Sequence, residues 1–112
     1  MKKYLVIGNP IEHSLSPLVH NFWIKKYGVN AIYEKKLLEK NDIEKTLNEM
    51  RESNTEGINV TVPFKKYVIP FLDQLSDTAK KTQSVNTIFK SQNKLVGDNT
   101  DVYGFSEAIK LT

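Results

Sequence analysis

Three strand-like runs alternating with helical segments constrain the fold of this 112-residue chain more than any other feature. Residues 3–8, 31–37 and 57–62 read as strands. Between them, residues 17–27 and 43–52 carry apolar side chains at helical spacing. Strands joined by helices of this length pack as parallel neighbours, with helices on both faces of the sheet. The pattern therefore predicts a three-layer α/β/α sandwich around a mostly parallel, mixed sheet.

Boundary residues refine this prediction. Ser16 is a good N-cap, Pro17 suits the first position of the first helix, and Gly28 is a suitable stop. Asn41 is expected to cap the second helix through a capping box that ends at Glu44. The tyrosines and the single tryptophan are read as core or core edge; they are Tyr4, Trp23, Tyr27, Tyr33, Tyr67 and Tyr103.

The second half of the chain is predicted to continue the sheet. A proline-bounded amphipathic segment spans residues 64–72, and a short helix is expected over 74–82. Residues 85–90 and 94–97 predict a hairpin that turns at 91–93. A last helical segment, 102–111, ends without a stop signal, so the natural polypeptide is expected to continue.

Composition excludes several classes of protein. With no cysteine, disulfides and thiolate metal sites are excluded. No apolar run approaches the ~20 residues of a membrane span, so we expect a cytoplasmic protein without membrane contact. The net charge of +3 comes from scattered lysines with Arg51 as the one arginine, which argues against nucleic-acid binding. His13 and His20 lack further ligands nearby, so no metal site is predicted.

Two serines stand just ahead of the first helix. Ser14 and Ser16 lie where unpaired N–H groups and the helix dipole favour an anion, and a small carboxylate fits this position. The alternative interpretation is that Ser16 is only a cap and Ser14 only a loop residue. Polar patches at 59–65, 85–87 and 97–101 are candidates for the rest of a polar site.

These patches together resemble the substrate-binding half of the shikimate dehydrogenase family. The resemblance covers essentially the whole chain and depends on motifs that occur in the family's order: Gly8-Asn9-Pro10-Ile11-Glu12-His13-Ser14-Leu15-Ser16-Pro17 with His20-Asn21, Asn59-Val60-Thr61-Val62-Pro63-Phe64-Lys65, Val85-Asn86-Thr87, and Gly97-Asp98-Asn99-Thr100-Asp101 with Gly104. The family reduces 3-dehydroshikimate to shikimate with NADPH on the way to chorismate and the aromatic amino acids. The resemblance therefore implies an oxidoreductase.

Family members carry a Rossmann nucleotide domain after this one, and its Gly-rich turn is missing from the present sequence. The resemblance thus implies a shikimate-binding catalytic domain over residues 1–101 and the start of the interdomain helix over 102–112. The chain alone is expected to be inactive, because hydride transfer needs substrate and cofactor held together. A homodimer is also possible.

The resemblance assigns roles to individual residues. Lys65 and Asp101 are implied to be the catalytic pair, although Asp101 also suits a helix N-cap. The implied substrate contacts are Ser14, Ser16, Thr61, Lys65, Asn86 and Asp101. Asp77 matches an acidic position near NADP in relatives, and its context equally suits a helix start. Asn59 shares a strand face with Thr61 and is a supporting residue rather than a predicted ligand.

Alternatives remain open at this point. A quinate/shikimate dehydrogenase of broader specificity has the same motifs, and a stand-alone binding module for a cyclic polyhydroxy acid would need no chemistry. A plain α/β interaction domain leaves the convergence of polar motifs unexplained. Two departures from the family pattern are Gln83-Ser84, where relatives usually have Gly-Ala, and Val102, where they often have Gly.

Overall fold

The computed structural model describes residues 2–11 and 16–100, which form one six-stranded sheet with helices on both faces. Single 3₁₀ turns lie at Lys40–Asp42 and Ile69–Phe71. The strands and helices are β1 (Lys2–Gly8), α1 (Ser16–Lys26), β2 (Ala31–Leu37), α2 (Ile43–Glu52), β3 (Thr55–Val60), β4 (Gln74–Leu75), α3 (Asp77–Thr82), β5 (Thr87–Ser91) and β6 (Lys94–Asp98).

The sheet is mixed, as predicted. Its strand order is β2-β1-β3-β5-β6-β4. Strand β1 runs parallel to both β2 and β3, whereas β5 is antiparallel to β3 and to β6. The short β4 pairs in parallel with β6. Helical crossovers therefore build the parallel half, and a hairpin builds the antiparallel half.

Each face of the sheet has its own apolar cluster, which confirms the layered arrangement. On the α2 face, Leu47 and Met50 pack with Ile7 and Ile58 in the larger cluster. On the α1 face, Val6, Ile11 and Tyr33 form a smaller cluster against Ile24. The alternation along β1 explains the division, because successive side chains of a strand point to opposite faces.

Helix α1 buries less of its aromatic surface than the sequence suggested. Trp23 and Tyr27 were read as core or core edge, but they are 46% and 68% exposed, and Phe22, another apolar position of the predicted helix, is 60% exposed. The prediction was wrong because Ile24 packs on the sheet instead and Asn21 bonds the backbone of β2. Gly28 follows the helix with φ of +65°, a conformation that favours glycine and agrees with its predicted stop role.

Several boundaries differ from the prediction. Strand β3 spans 55–60 rather than 57–62, since pairing stops ahead of Pro63, which has no N–H to donate. Asn41 is not the cap of α2; it lies inside a 3₁₀ turn, and Asp42 accepts a hydrogen bond from the Glu39 N–H at 3.0 Å. Residues 74–75 are strand rather than helix, because they pair with β6, and α3 starts at Asp77 behind the Ser76 cap.

The predicted hairpin is confirmed with small shifts. It joins β5 and β6 through Gln92 and Asn93, whose φ angles of 53° and 66° are typical of a type I′ turn. The predicted helix over 102–111 lies outside the described residues. Among residues 2–11 and 16–100, every helix is too short or too polar to cross a lipid bilayer.

An ion pair ties α2 to the loop that precedes β4. The Asp73 carboxylate accepts hydrogen bonds from Arg51 and, at 2.7 Å, from the Leu95 N–H. Arg51 also donates to the Phe71 carbonyl at 3.1 Å. The Arg51 hydrogen bond, followed by that from Leu95, holds the pKa of Asp73 below its ordinary value of 3.8.

Candidate active site

Polar loops converge at one end of the sheet. The parallel strands β1 and β3 both finish there, and antiparallel β5 begins there. Because β6 runs opposite to β5, its last residue, Asp98, reaches the same end. Helix α1 begins at Ser16, a few residues after β1. The carboxyl ends of parallel strands are where α/β proteins place their ligands.

Backbone hydrogen bonds fasten these loops to one another. The Asn9 N–H donates to Val62 O at 3.0 Å, and the Val85 N–H donates to Lys65 O at 2.8 Å. The Asn86 carbonyl accepts from the Val60 N–H at 2.8 Å, while its own N–H donates to Asp98 O at 3.0 Å. The predicted patches at 59–65, 85–87 and 97–101 are thus adjacent in the fold.

Gly8 permits the close approach of the first two loops. A Cβ atom at this position would collide with the Thr61 methyl group, and it would lie 3.1 Å from the Val62 carbonyl oxygen and 3.3 Å from the Ile11 side chain. The Thr61 N–H donates to Ile7 O at 3.0 Å, which keeps Thr61 beside β1. The peptide bonds Asn9–Pro10 and Val62–Pro63 are both cis. A glycine is therefore needed where β1 leaves the sheet.

Asn21 joins α1 to the edge strand β2. Its Oδ1 accepts from the Tyr33 N–H at 2.8 Å, and its Nδ2 donates to the Tyr33 carbonyl at 2.7 Å. The His20 ring stacks on the Tyr33 ring with centroids 4.4 Å apart. These contacts fix the helix whose start is the predicted carboxylate site. Ser14 lies outside the described residues.

A continuous row of polar side chains crosses the site. The Tyr33 hydroxyl donates to Asn59 Oδ1 at 2.6 Å, and Asn59 Nδ2 reaches Thr87 Oγ1 at 3.5 Å. Thr87 Oγ1 in turn donates to Asn86 Oδ1 at 3.0 Å. Asn86 also bonds Thr100 twice, through its Nδ2 at 2.9 Å and its Oδ1 at 3.1 Å. Asn86 is therefore held rigidly where sequence analysis expected a ligand contact.

The structure brings Thr61, Lys65 and Asn86 together. Thr61 and Lys65 are half-buried in the turn after β3, and Lys65 is bonded through its carbonyl to the residue before Asn86. Asp101, the predicted partner of Lys65, lies outside the described residues, although its neighbour Thr100 is bonded to Asn86. The backbone segments that carry these three side chains are thus adjacent, and ammonium, alcohol and amide groups are of the types that bind a polyhydroxylated ligand.

Asp77 occupies a different position. It is the exposed first residue of α3, behind the Ser76 cap, whose Oγ accepts from the Ala79 N–H at 3.1 Å. Its predicted cofactor contact remains a prediction. Beyond this helix, the buried Asn99 donates to Ser84 O and Thr82 Oγ1, both at 3.1 Å, and so joins the end of α3 to the end of β6.

Part of this network was not predicted from the sequence. Tyr33 was read as core or core edge and is only 5% exposed, yet its hydroxyl donates a hydrogen bond to Asn59. Thr87 and Thr100 were quoted only within motifs. The available signal was the alternation of polar side chains on β3, which places Asn59 and Thr61 on one face. In the ranges 2–11 and 16–100, no three His, Asp or Glu side chains group as metal ligands.

Comparisons with known proteins match the chain to one family. Residues 6–88 match the family described as shikimate dehydrogenase substrate binding domain. The chain is 57% identical over 111 residues to the NADP(+) shikimate dehydrogenase of Pelagibacter ubique. This match covers 99% of this chain and 42% of that protein. Identity to the enzyme of Pyrococcus furiosus is 44%, over 97% of this chain and 40% of that protein.

Solved structures give the same match. Shikimate 5-dehydrogenase of Thermus thermophilus in complex with shikimate superposes with a TM-score of 0.90 at 35% identity, over 99% of this chain and 42% of that one. Shikimate dehydrogenase of Aquifex aeolicus superposes with a TM-score of 0.90 at 41% identity, over 98% of this chain and 41% of that one. The chain therefore spans about two fifths of the length of the relatives it matches.

Proposed function

The chain belongs to the shikimate dehydrogenase substrate-binding domain family, and from this membership we propose that it binds shikimate and 3-dehydroshikimate for an NADP-dependent oxidoreductase. The proposed reaction is the reversible reduction of 3-dehydroshikimate to shikimate in aromatic amino acid biosynthesis. The observation that carries the proposal is that backbone hydrogen bonds join the segments of Thr61, Lys65 and Asn86 at the end of the sheet where β1 and β3 finish. Shikimate has a carboxylate for the helix start and hydroxyls for the three side chains.

We propose that the substrate binds in a cleft between the start of α1 and the loops that carry Thr61, Lys65 and Asn86, and that it contacts both sides. We place the carboxylate at the N-terminus of α1, with Ser14 and Ser16 as hydroxyl donors, because that end of a helix attracts anions. The ring hydroxyls are assigned to the Thr61 hydroxyl, which both donates and accepts hydrogen bonds, and to Asn86 Nδ2 as a donor, since Asn86 Oδ1 already accepts from Thr87 and Thr100. The fixed hydrogen bonds from Thr87 and Thr100 support the assignment of Asn86, since they preorganise its amide.

Lys65 and Asp101 are proposed as the catalytic pair. When the substrate carbonyl is reduced, negative charge develops on its oxygen, and a nearby ammonium stabilises that charge and delivers a proton. The carboxylate orients the ammonium and favours its charged form. Support comes from the bond between Lys65 O and Val85, which keeps the Lys65 turn beside Asn86 and close to the segment that leads to Asp101.

The Gly-rich turn of a Rossmann nucleotide site is absent from the residues that the structure describes. Strand β1 ends in Gly8-Asn9-Pro10 rather than a Gly-rich turn, and Pro10 follows a cis peptide bond. NADPH supplies the hydride in the proposed reaction, and we assign its binding to a nucleotide domain beyond this chain. Asp77 is proposed as a contact from the substrate side. The chain alone is accordingly proposed to be inactive.

Steady-state kinetics on the intact gene product tests the function. We expect NADP-dependent oxidation of shikimate, with quinate turned over much more slowly, and no turnover by residues 1–112 alone. Comparable kcat/KM for the two acids would favour the broader quinate/shikimate dehydrogenase. Shikimate binding without any turnover by the intact product would instead support a non-catalytic binding module.

We extend the proposal to a homodimer. Strand β2 is an edge of the sheet, and α1, which carries exposed aromatic residues, packs against it. If two β2 strands paired antiparallel about Lys35, Glu34 of each copy would face Lys36 of the other, and these two opposite-charge pairs would flank the like-charged pair of Lys35 residues at the centre. Sedimentation analysis should show a dimer that Trp23→Glu dissociates. A wild-type monomer at micromolar concentration would refute this extension.

The last part of the proposal concerns the cellular compartment of the enzyme. We place the enzyme in the cytoplasm, because the reaction draws on NADPH and the cysteine-free chain gains nothing from an oxidising compartment. Cell fractionation with a tagged gene product should recover it with the cytoplasmic proteins. Recovery with membranes or in a secreted fraction would contradict this assignment.

A further inference from the structure

We propose that Tyr33 is a positioning residue of the active site, whose hydroxyl fixes the orientation of the Asn59 amide. The inference rests on the proposed function, because its consequence is measured as affinity for shikimate. Tyr33 lies on the edge strand β2, away from the loops that form the cleft, and acts through Asn59 on β3.

The direction of every hydrogen bond in the row follows from one backbone donor. The Thr100 N–H points to Asn86 Oδ1 at 3.1 Å, so that atom is the acceptor end of the amide. Thr87 Oγ1 therefore uses its hydrogen to donate to the same oxygen at 3.0 Å. The Thr87 oxygen remains as an acceptor, and a hydroxyl both donates and accepts.

The hydrogen-bond directions at Asn59 and Tyr33 follow in the same way. Asn59 turns its Nδ2 donor toward Thr87 Oγ1, 3.5 Å away, which leaves Oδ1 on the opposite side. The Tyr33 hydroxyl donates to this oxygen at 2.6 Å. Because the Thr87 oxygen is an acceptor, it sets which end of the Asn59 amide faces it, but at 3.5 Å that contact is long. The 2.6 Å bond from the Tyr33 hydroxyl to Oδ1 therefore holds the amide in the orientation that directs Nδ2 toward Thr87.

Tyr33 is itself held by the helix that begins the carboxylate site. Asn21 bonds both backbone groups of Tyr33, at 2.8 Å and 2.7 Å. The His20 ring stacks on the Tyr33 ring with an interplanar angle of 18°. Tyr33 is 5% exposed, so its ring has a defined place between α1 and the sheet. It thereby joins the part of the site on α1 to the part on β3 and β5.

Kinetics on the intact gene product tests the role. Tyr33→Phe keeps the ring and its stacking but removes the donor, so KM for shikimate should rise about 3- to 10-fold with kcat changed less than about 2-fold. Tyr4→Phe is the matched control: Tyr4 pairs with Tyr33 across the sheet and packs on the same cluster, outside the polar row. It should leave KM unchanged.

A double-mutant cycle separates positioning from a general structural effect. If Tyr33 acts through Asn59, Tyr33→Phe should have no further effect on KM in an Asn59→Ala background. Additive losses would overturn the proposal, as would an unchanged KM for Tyr33→Phe.

Ligand-free NMR distinguishes failure of this inference from failure of the proposed function. In the ¹⁵N-labelled intact product, Tyr33→Phe should shift the side-chain amide resonances of Asn59, and Tyr4→Phe should not. If shikimate is not a substrate, the proposed function fails but this spectrum still tests the orienting bond. Unchanged Asn59 resonances in Tyr33→Phe would overturn the role of Tyr33 whatever the substrate is.

Discussion

The two faces of strand β3 differ in what they contribute. On the α2 face, Ile58 and Val60 are 2% and 3% exposed and belong to the larger apolar cluster. On the α1 face, Asn59 is half-buried among Tyr33 and Thr87, and Thr61 follows it into the turn beside Gly8. One six-residue strand thus supplies both core and cleft.

This difference shows how a small domain separates stability from binding. Apolar side chains on the α2 face stabilise the fold because folding buries their surface away from water, and the size of this contribution depends on how closely they pack. Polar side chains on the α1 face contribute little to stability, because each hydrogen bond within the protein replaces one with water. Substitutions on the two faces should consequently affect different measurements.

The largest effect is expected at Lys65. Lys65→Ala in the intact gene product should lower kcat by about 10²- to 10⁴-fold, since the proposed proton donor is lost. Its exposed neighbour provides the control, and Lys66→Ala should stay within about 2-fold of wild type by steady-state kinetics, because exposed lysines away from chemistry are solvated. A Lys65→Ala enzyme with near-normal kcat and a much higher KM would reduce Lys65 to a binding residue.

Adjacent residues of β3 give the sharpest contrast in stability. Ile58→Ala should lower the free energy of unfolding by about 2–5 kcal/mol, because it leaves a cavity in the α2-face cluster. Asn59→Ala should cost less than about 1.5 kcal/mol but weaken shikimate binding. Urea unfolding and ligand titration measure the two effects. Equal stability losses would contradict the division between faces; if Ile58→Ala does not fold, Ile58→Val should still cost about 0.5–1.5 kcal/mol.

Asp73 tests a stabilising contact far from the cleft. Because its folded-state pKa is lowered, its contribution is present above the unfolded value of 3.8 and is lost as pH falls through the lower folded value. Asp73→Asn should therefore lower stability at neutral pH and make unfolding less dependent on acid. Thermal unfolding from neutral to acidic pH measures this. A variant with the wild-type acid dependence would show that Asp73 contributes nothing to it.

The smallest effect is expected at Gln83, which has a left-handed backbone with φ of 53°. Gln83→Gly should relieve that conformation and raise the free energy of unfolding by up to about 1 kcal/mol, offset in part by the lost bond to Lys80 O. Chemical denaturation provides the comparison, with Ser84→Ala as a neighbouring control. A clear loss of stability would mean that the Gln83 bond outweighs backbone strain.

Much of the fold was predictable because it follows from local pattern. The run 31–37 is β2 with the same bounds, and Gly28 ends α1 through its positive φ. Turn chemistry placed the β5–β6 hairpin within a residue or two. The wrong predictions concern features that depend on contacts between elements. Strand β4 forms only by pairing with β6, and α1 exposes its aromatic residues because Asn21 faces β2.

The candidate site was predictable in part for the same reason. Thr61, Lys65 and Asn86 lie at strand ends, and strand ends of a mixed sheet meet where the topology brings them together. Tyr33 was missed because its role requires a contact between β2 and β3, two strands that are not neighbours. No local pattern distinguishes a tyrosine that only packs from one whose hydroxyl orients an amide.

A crystal structure of the intact gene product with shikimate tests the central claim most directly. We predict shikimate on the α1 face, with its carboxylate at the start of α1 and ring hydroxyls within about 3.5 Å of Lys65 Nζ and the Asn86 amide. Shikimate bound on the α2 face, or at the cleft with Lys65 and Asn86 out of reach, would contradict the proposed assignment of roles to the two faces.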